Sequence, residues 1–214
     1  VMQIINSLRP DSVGKSYLED DSLGFFDEND EMIALHFASI ASMILQRAQM
    51  TRALILRMIS MAELRDPKET GAHVNRVAAY SVEIYERWAQ NRSLPKDEIE
   101  KNRDVLRMAA MLHDVGKVAI SDLILKKPAR FTDEEFEIMK THTVHGAMLF
   151  KGKSSDFDRV AALVALQHHE NWDGTGYPGD VDMLTGEPVR INEAGKPQQL
   201  KGEEISIYGR IVAI

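Results

Sequence analysis

The pairing of histidine with carboxylate or with a second histidine constrains this chain more than any other feature. There are seven histidines. His113-Asp114 and His168-His169 are adjacent, Glu69 lies one helical turn before His73, and His142 opens a further turn beside His145. Met108, Met111 and Leu112 precede the first pair; Leu163, Val164 and Leu166 precede the last. Both pairs therefore close predicted helices whose apolar faces carry them towards a core. Ionisable groups taken into an apolar interior need partners, and metal coordination satisfies several at once. The set carries this reading. His36 and His145, taken singly, are read as ordinary core or surface residues.

The chain has no cysteine, so a metal must sit on imidazole and carboxylate, the ligands that suit iron, manganese or zinc. A shared carboxylate can bridge two ions, and two ions about 4 Å apart can clamp the attacking and leaving oxygens of a phosphoryl displacement. The formal net charge of −7 argues against a duplex-binding surface. An acidic protein that handles phosphates needs a local positive site, which metal ions provide. No apolar run reaches the roughly 18 residues of a transmembrane helix. The start, Val1-Met2-Gln3-Ile4-Ile5, lacks the basic flank of a signal peptide. A cytoplasmic location is expected, with the chain beginning inside a longer protein.

From residue 70 onward helices are predicted over about 70–90, 96–113, 132–151 and 157–170, with Thr132-Asp133-Glu134-Glu135 as a capping-box start. Residues 171–202 are rich in Gly, Pro, Asp and Asn and read as a long loop with a hairpin around Thr185-Gly186-Glu187. Before residue 70, a short strand over 1–8 and a loop over 9–27 lead to N-cap chemistry at Asp27-Glu28-Asn29-Asp30. Apolar residues follow at Ile33, Phe37, Ile40 and Ile44, and again at Leu54, Met58 and Met61, with no Gly or Pro until Pro67. Such steps fit a helix packed on its own domain. They fit better a long connecting helix that pairs with a second copy.

His113-Asp114-Val115-Gly116-Lys117 matches the metal motif of the HD hydrolase superfamily, and Asn171 to Pro178, directly after His168-His169-Glu170, resembles the motif that names the HD-GYP family. Gly71-Ala72-His73 and the stretch from Thr132 to His142 keep the family's order, so the resemblance covers about residues 66–214. Val1 to Asn6 and Phe25 to Glu31 also look like the C-terminal end of a GAF domain. The resemblance implies an all-α, HD-type helical bundle, with a long N-terminal connecting helix and a small β/loop remnant of a GAF domain. The expected divisions are 1–50 (GAF end and its last helix), 51–66 (linker helix) and 67–214 (catalytic domain).

For the site, the resemblance implies metal ligation by Glu69, His73, His113, Asp114, His142, His168 and His169, with Asp114 bridging. The cofactor is two or three divalent ions, iron first and manganese second. Glu69 goes with the third ion; the plainer reading is a cap at a helix start. Asp114 and Lys117 are the expected catalytic residues. Lys117, Gly176, Tyr177 and Pro178 are the expected substrate contacts, although Gly174, Gly176 and Pro178 are also plain turn residues. The implied activity is hydrolysis of cyclic di-GMP to linear pGpG or GMP in bacterial signalling. Alternatives are another cyclic dinucleotide such as cyclic GMP-AMP, or an inactive cyclic di-GMP sensor. Partners expected are the dinucleotide, a second copy through the N-terminal helix, and GGDEF-type or other signalling proteins. A further metal-ligating Asp and basic substrate residues are expected after Ile214. Residues 181–199 look like an insertion, with a lid, a partner contact and disorder all open.

Overall fold

The computed structural model describes residues 7–8, 23–24, 27–66, 71–152 and 155–214. Two compact units divide between Leu54 and Ile55. In the first, strands β1 (Ser7–Leu8) and β2 (Leu23–Gly24) pair antiparallel. Helix α1 (Glu28–Arg65) starts where the Asp27 carboxylate accepts hydrogen bonds from the backbone N–H of Asn29 and Asp30, at 2.8 and 2.9 Å. With no Gly or Pro to stop it, it runs for 38 residues, and its last turns belong to the second unit. The GAF likeness rests partly on residues 1–6 and 25–26, which lie outside the described residues, as does Glu69.

The second unit is all-α. Helices α2 (Gly71–Asn91) and α3 (Lys96–Ala110) pack against each other, and α3 packs on α7 (Asp156–Gln167). Between them come a 3-10 turn (Val115–Ala119) and the short helices α4 (Asp122–Leu125), α5 (Asp133–Lys140) and α6 (His142–Met148). Helix α8 (Ile207–Val212) covers α7 and α2. Tyr85, Leu106, Leu112, Val160 and Val164 form the middle of the core, and Ile55 and Ile59 of α1 join it. Among the described residues no helix is long and apolar enough to cross a membrane.

Three sequence expectations are refined. The helix predicted over 132–151 breaks at Thr141. There the N–H bonds back three residues to the Ile138 carbonyl, and the hydroxyl donates to the same oxygen at 2.6 Å. This tightened turn ends α5, and α6 begins afresh at the buried His142. The helix predicted to end at 113 likewise stops at Ala110, and Leu112 and His113 follow in bonds of the same tight kind. The loop over 171–202 holds two small antiparallel bridges, Val181 with Pro188 and Ile191 with Pro197. The first is the expected hairpin, turned by Gly186 donating to the Asp182 carbonyl.

Candidate metal centre

The helix ends converge. The tight turn after α3 supplies His113 and Asp114, the start of α6 supplies His142, and the end of α7 supplies His168 and His169. Gly116 makes the first two approaches compatible: a Cβ there would run into the His142 carbonyl and the Gly146 backbone. Ligand atoms of Asp114, His142, His168 and His169 all lie within 4.8 Å of one another. His113 adjoins this group through Asp114, and the His73 ring lies 5.9 Å from that of His113. Of the expected ligands, then, four form the group, His113 and His73 stand beside it, and Glu69 lies outside the described residues. His36 and His145 are exposed and take no part in it.

The chemistry of the imidazoles shows what the group needs. In His113, Nδ1 faces the Ala110 carbonyl at 2.9 Å; in His142 it faces Met139 at 2.7 Å; in His168 it faces Ala165 at 3.0 Å. A carbonyl oxygen only accepts, so each Nδ1 carries the hydrogen and each neutral ring presents a bare Nε2. The Nε2 atoms of His142 and His168 lie 3.3 Å apart, lone pair towards lone pair. The same atoms lie 3.2 and 3.5 Å from Asp114 Oδ1, a buried oxygen with no hydrogen-bond partner. Asp114 Oδ2 instead faces His113 Nε2 at 3.1 Å and Lys117 Nζ at 2.8 Å. Acceptors crowded on acceptors in a buried place call for a cation, and this donor set fits a divalent metal.

The electrostatics agree. Burial opposes charge on Asp114, but its polar neighbours His113, His142 and His168 outweigh it and hold the carboxyl well below the usual carboxylate range. Burial lowers His168, with its histidine neighbours adding to the effect against the pull of Asp114. His169 is pushed down to about 3, chiefly by lost solvation and then by His168 and His142. An ionised carboxylate close to His168 and His169, which resist protonation, leaves a site for metal cations.

The Gly-Tyr-Pro loop closes over this group. The Tyr177 ring stacks on His169 with centroids 4.7 Å apart and planes at 23°, and its N–H donates to the His169 carbonyl at 3.1 Å. A Cβ at Gly176 would strike the backbone of His169, Glu170 and Asn171, so glycine lets the loop lie flat on the metal-side turn. Buried Glu170 holds the far end, accepting from the Gly179 N–H at 2.6 Å. Phe136 meets Tyr177 edge-on, and Lys140 sits over both rings. Burial, and then the Asp114 charge, push the Tyr177 hydroxyl up to about 12, so it stays protonated and can donate.

Residues 70–214 match the HD domain family. The chain belongs to the HD-domain family. Its HD-domain relatives include a 3'3'-cGAMP-specific phosphodiesterase 2 of Vibrio cholerae, 36% identical over 182 residues, 85% of this chain and 29% of that protein. A cyclic di-GMP phosphodiesterase of the same organism is 38% identical over 166 residues, 75% of this chain and 30% of its own. A cyclic di-GMP phosphodiesterase of Thermotoga maritima is 38% identical over 160 residues, again 75% of this chain, and 35% of its own length. The chain thus spans about a third of the curated relatives it matches. With Gly176-Tyr177-Pro178 intact, this HD domain groups with the HD-GYP members.

Sequence reasoning passed over four residues of the site. Asp66 lies 3.4 Å from Lys117 Nζ, and Arg65 binds the segment that follows Lys117. Glu170 and Phe136 support Tyr177. The one sequence sign was Arg65-Asp66 itself, opposite charges in the last turn of a long helix directly before Pro67.

Proposed function

We propose that this chain carries the catalytic part of a metal-dependent phosphodiesterase that opens cyclic di-GMP to the linear dinucleotide. One observation carries the reading: the two oxygens of Asp114 face separate histidine sets, as a carboxylate shared by two ions would. His113, with the His73 ring 5.9 Å from its own, stands on the Oδ2 side, and His142 and His168 on the other, with His169 beside His168. Glu69, one turn before His73, is assigned to a third ion. Iron is the metal proposed, with manganese as substitute. Divalent ions, if held there by His73, His113, Asp114, His142, His168 and His169, would supply a more acidic bound water and positive charge beside the phosphoryl oxygens. The Lys117 ammonium, next to Asp114, balances charge that develops on the phosphate. The Tyr177 hydroxyl donates to the substrate, and Gly176 and Pro178 set the wall against which a nucleotide rests.

Residues 1–50 are assigned to the end of a GAF-like domain and 51–66 to a linker helix, with dimerisation through α1, GGDEF-type or other signalling proteins as partners, and a cytoplasmic location. A second substrate, 3'3'-cyclic GMP-AMP, is favoured by the relative that matches 85% of this chain. The test is chromatography of products after metal-loaded, full-length protein meets each dinucleotide. Linear pGpG, or GMP, from cyclic di-GMP is the expected result. Faster opening of cyclic GMP-AMP moves the specificity to the second reading. Binding with no linear product under any divalent metal makes the protein a sensor.

A further inference from the structure

The end of α1 meets the segment from Lys117 to Asp122 at four points. Asp66, 3% exposed, places Oδ2 3.4 Å from Lys117 Nζ. Arg65 donates to the Val118 carbonyl, to the Ile120 carbonyl at 2.6 Å, and to Asp122 Oδ1 at 3.0 Å. Two neighbouring residues therefore hold the whole strap from Lys117 to Asp122. The carbonyls of Val118 and Ile120 lie at and just past the end of the 3-10 turn, where backbone acceptors lack partners of their own. Ile55 and Ile59, buried on the same helix, fix its register against the core. A small cavity of about 30 Å³ is lined by Ile59, Ala62 and Asp66 together with His113, Asp114 and Lys117, so this end of α1 borders the metal group directly.

We propose that Arg65 and Asp66 are positioning residues for Lys117, through which the connecting helix reaches the reacting phosphate. What Lys117 does there rests on the phosphodiesterase reading; the tether itself does not. A lysine ammonium is a point charge on a flexible stem and gives no direction of its own. Lys117 lies between two carboxylates. Asp114 also faces His113, His142 and His168, whereas buried Asp66 reaches Lys117 from the end of α1; its proposed task is to aim the ammonium. The Arg65 fork keeps the backbone of the same strap from drifting, a task that its planar donors suit and a lysine cannot match. A displacement of the last turn of α1 moves Lys117 with it.

The experiment uses metal-loaded, full-length protein. Asp66→Asn should lower kcat about tenfold, as loss of a supporting contact does, with metal content unchanged. Adding Lys117→Ala to Asp66→Asn should cost no more than Lys117→Ala alone, because residues that act through one group are not additive. Losses that multiply would overturn the proposal. A second readout needs no substrate: the rate at which an amine-reactive ester acylates Lys117, followed by peptide mass spectrometry. That rate should rise severalfold in Asp66→Asn, and an unchanged rate overturns the tether. Should Asp66→Asn not fold, Arg65→Lys carries both measurements, with the same non-additivity and faster labelling expected. A wild type that opens no cyclic dinucleotide defeats the phosphodiesterase reading, and the labelling rates still decide the tether.

Discussion

Asp114 has two oxygens and two sets of neighbours, so its loss removes something from both sides of the group. Asp114→Ala should cut turnover by more than about a hundredfold, beyond the range seen when only a supporting contact is lost. Elemental analysis should show less metal per chain. Full metal and full activity would take Asp114 out of the site. Tyr177→Phe separates two other roles. The ring still stacks on His169, so metal content holds, while the donating hydroxyl is gone and kcat/KM falls by about tenfold. The histidines also set an acid limit on the metal-free fold. His168 and His169 bind protons less readily when folded than when unfolded, where the usual value is 6.5. Between that value and the folded one, about 3 for His169, the unfolded state holds more protons. Stability of the apoprotein therefore falls as pH drops from about 6.5, and the low value of Asp114 acts in the same direction. Thermal melts of apoprotein from pH 7 to 4 check this, and a flat profile contradicts it. The clustered residues Asp114, His142, His168 and His169 were legible because their residue types are few and most stand next to one another. Asp66 was not, since only the fold brings it to Lys117, more than fifty positions away.

At the scale of elements, the site depends on turns more than on helices. Gly116 sits where the turn after α3 presses on α6, and a side chain there meets backbone that cannot swing aside. Gly116→Ala should destabilise by about 3 kcal/mol or more, at the upper end of overpacking costs, and should lower metal content with it, because the displaced carbonyl belongs to His142. Helix α5 starts with the capping box that the sequence announced: Thr132 Oγ1 accepts from the Glu135 N–H at 3.3 Å, and Glu135 accepts from the Thr132 N–H at 2.7 Å. Glu135 also holds Lys127 at 2.5 Å. Thr132→Ala should cost about 1 kcal/mol by denaturant melts, with little change in metal content. Local chemistry of this kind reads directly from the chain. The break at Thr141 does not, because apolar spacing continues through it and only the inward turn of His142 gives it a purpose. The hairpin after Val181 was legible from Gly186, but the bond from Gly179 to Glu170 that fixes the loop before it joins residues nine apart.

At the scale of the molecule, α1 is shared by both units and is apolar on more than one side. Ile55 and Ile59, one turn apart, are buried in the second unit, while Leu54, Met58 and Met61 of the same turns stay exposed. In the first unit Ile33, Phe37, Ile40 and Ile44 are exposed, Phe37 at 59%. Their steps of four, three and four repeat the spacing of a helix seam. Burying one large apolar side chain is worth about 1.5–3 kcal/mol, so four such residues left in water are a strong drive towards a second helix. A copy of the same helix fits, because an in-register parallel pair sets each apolar residue against its twin and brings both α1 ends to their own Lys117 straps in step. The wild type should be dimeric by light scattering at micromolar concentration. Ile40→Glu puts two like charges in the middle of the seam, and this variant should be monomeric with its metal content intact, since Ile40 lies far along the chain from any ligand. A dimer that survives Ile40→Glu places the interface elsewhere. A wild type that is already monomeric leaves the α1 stripe to a different partner.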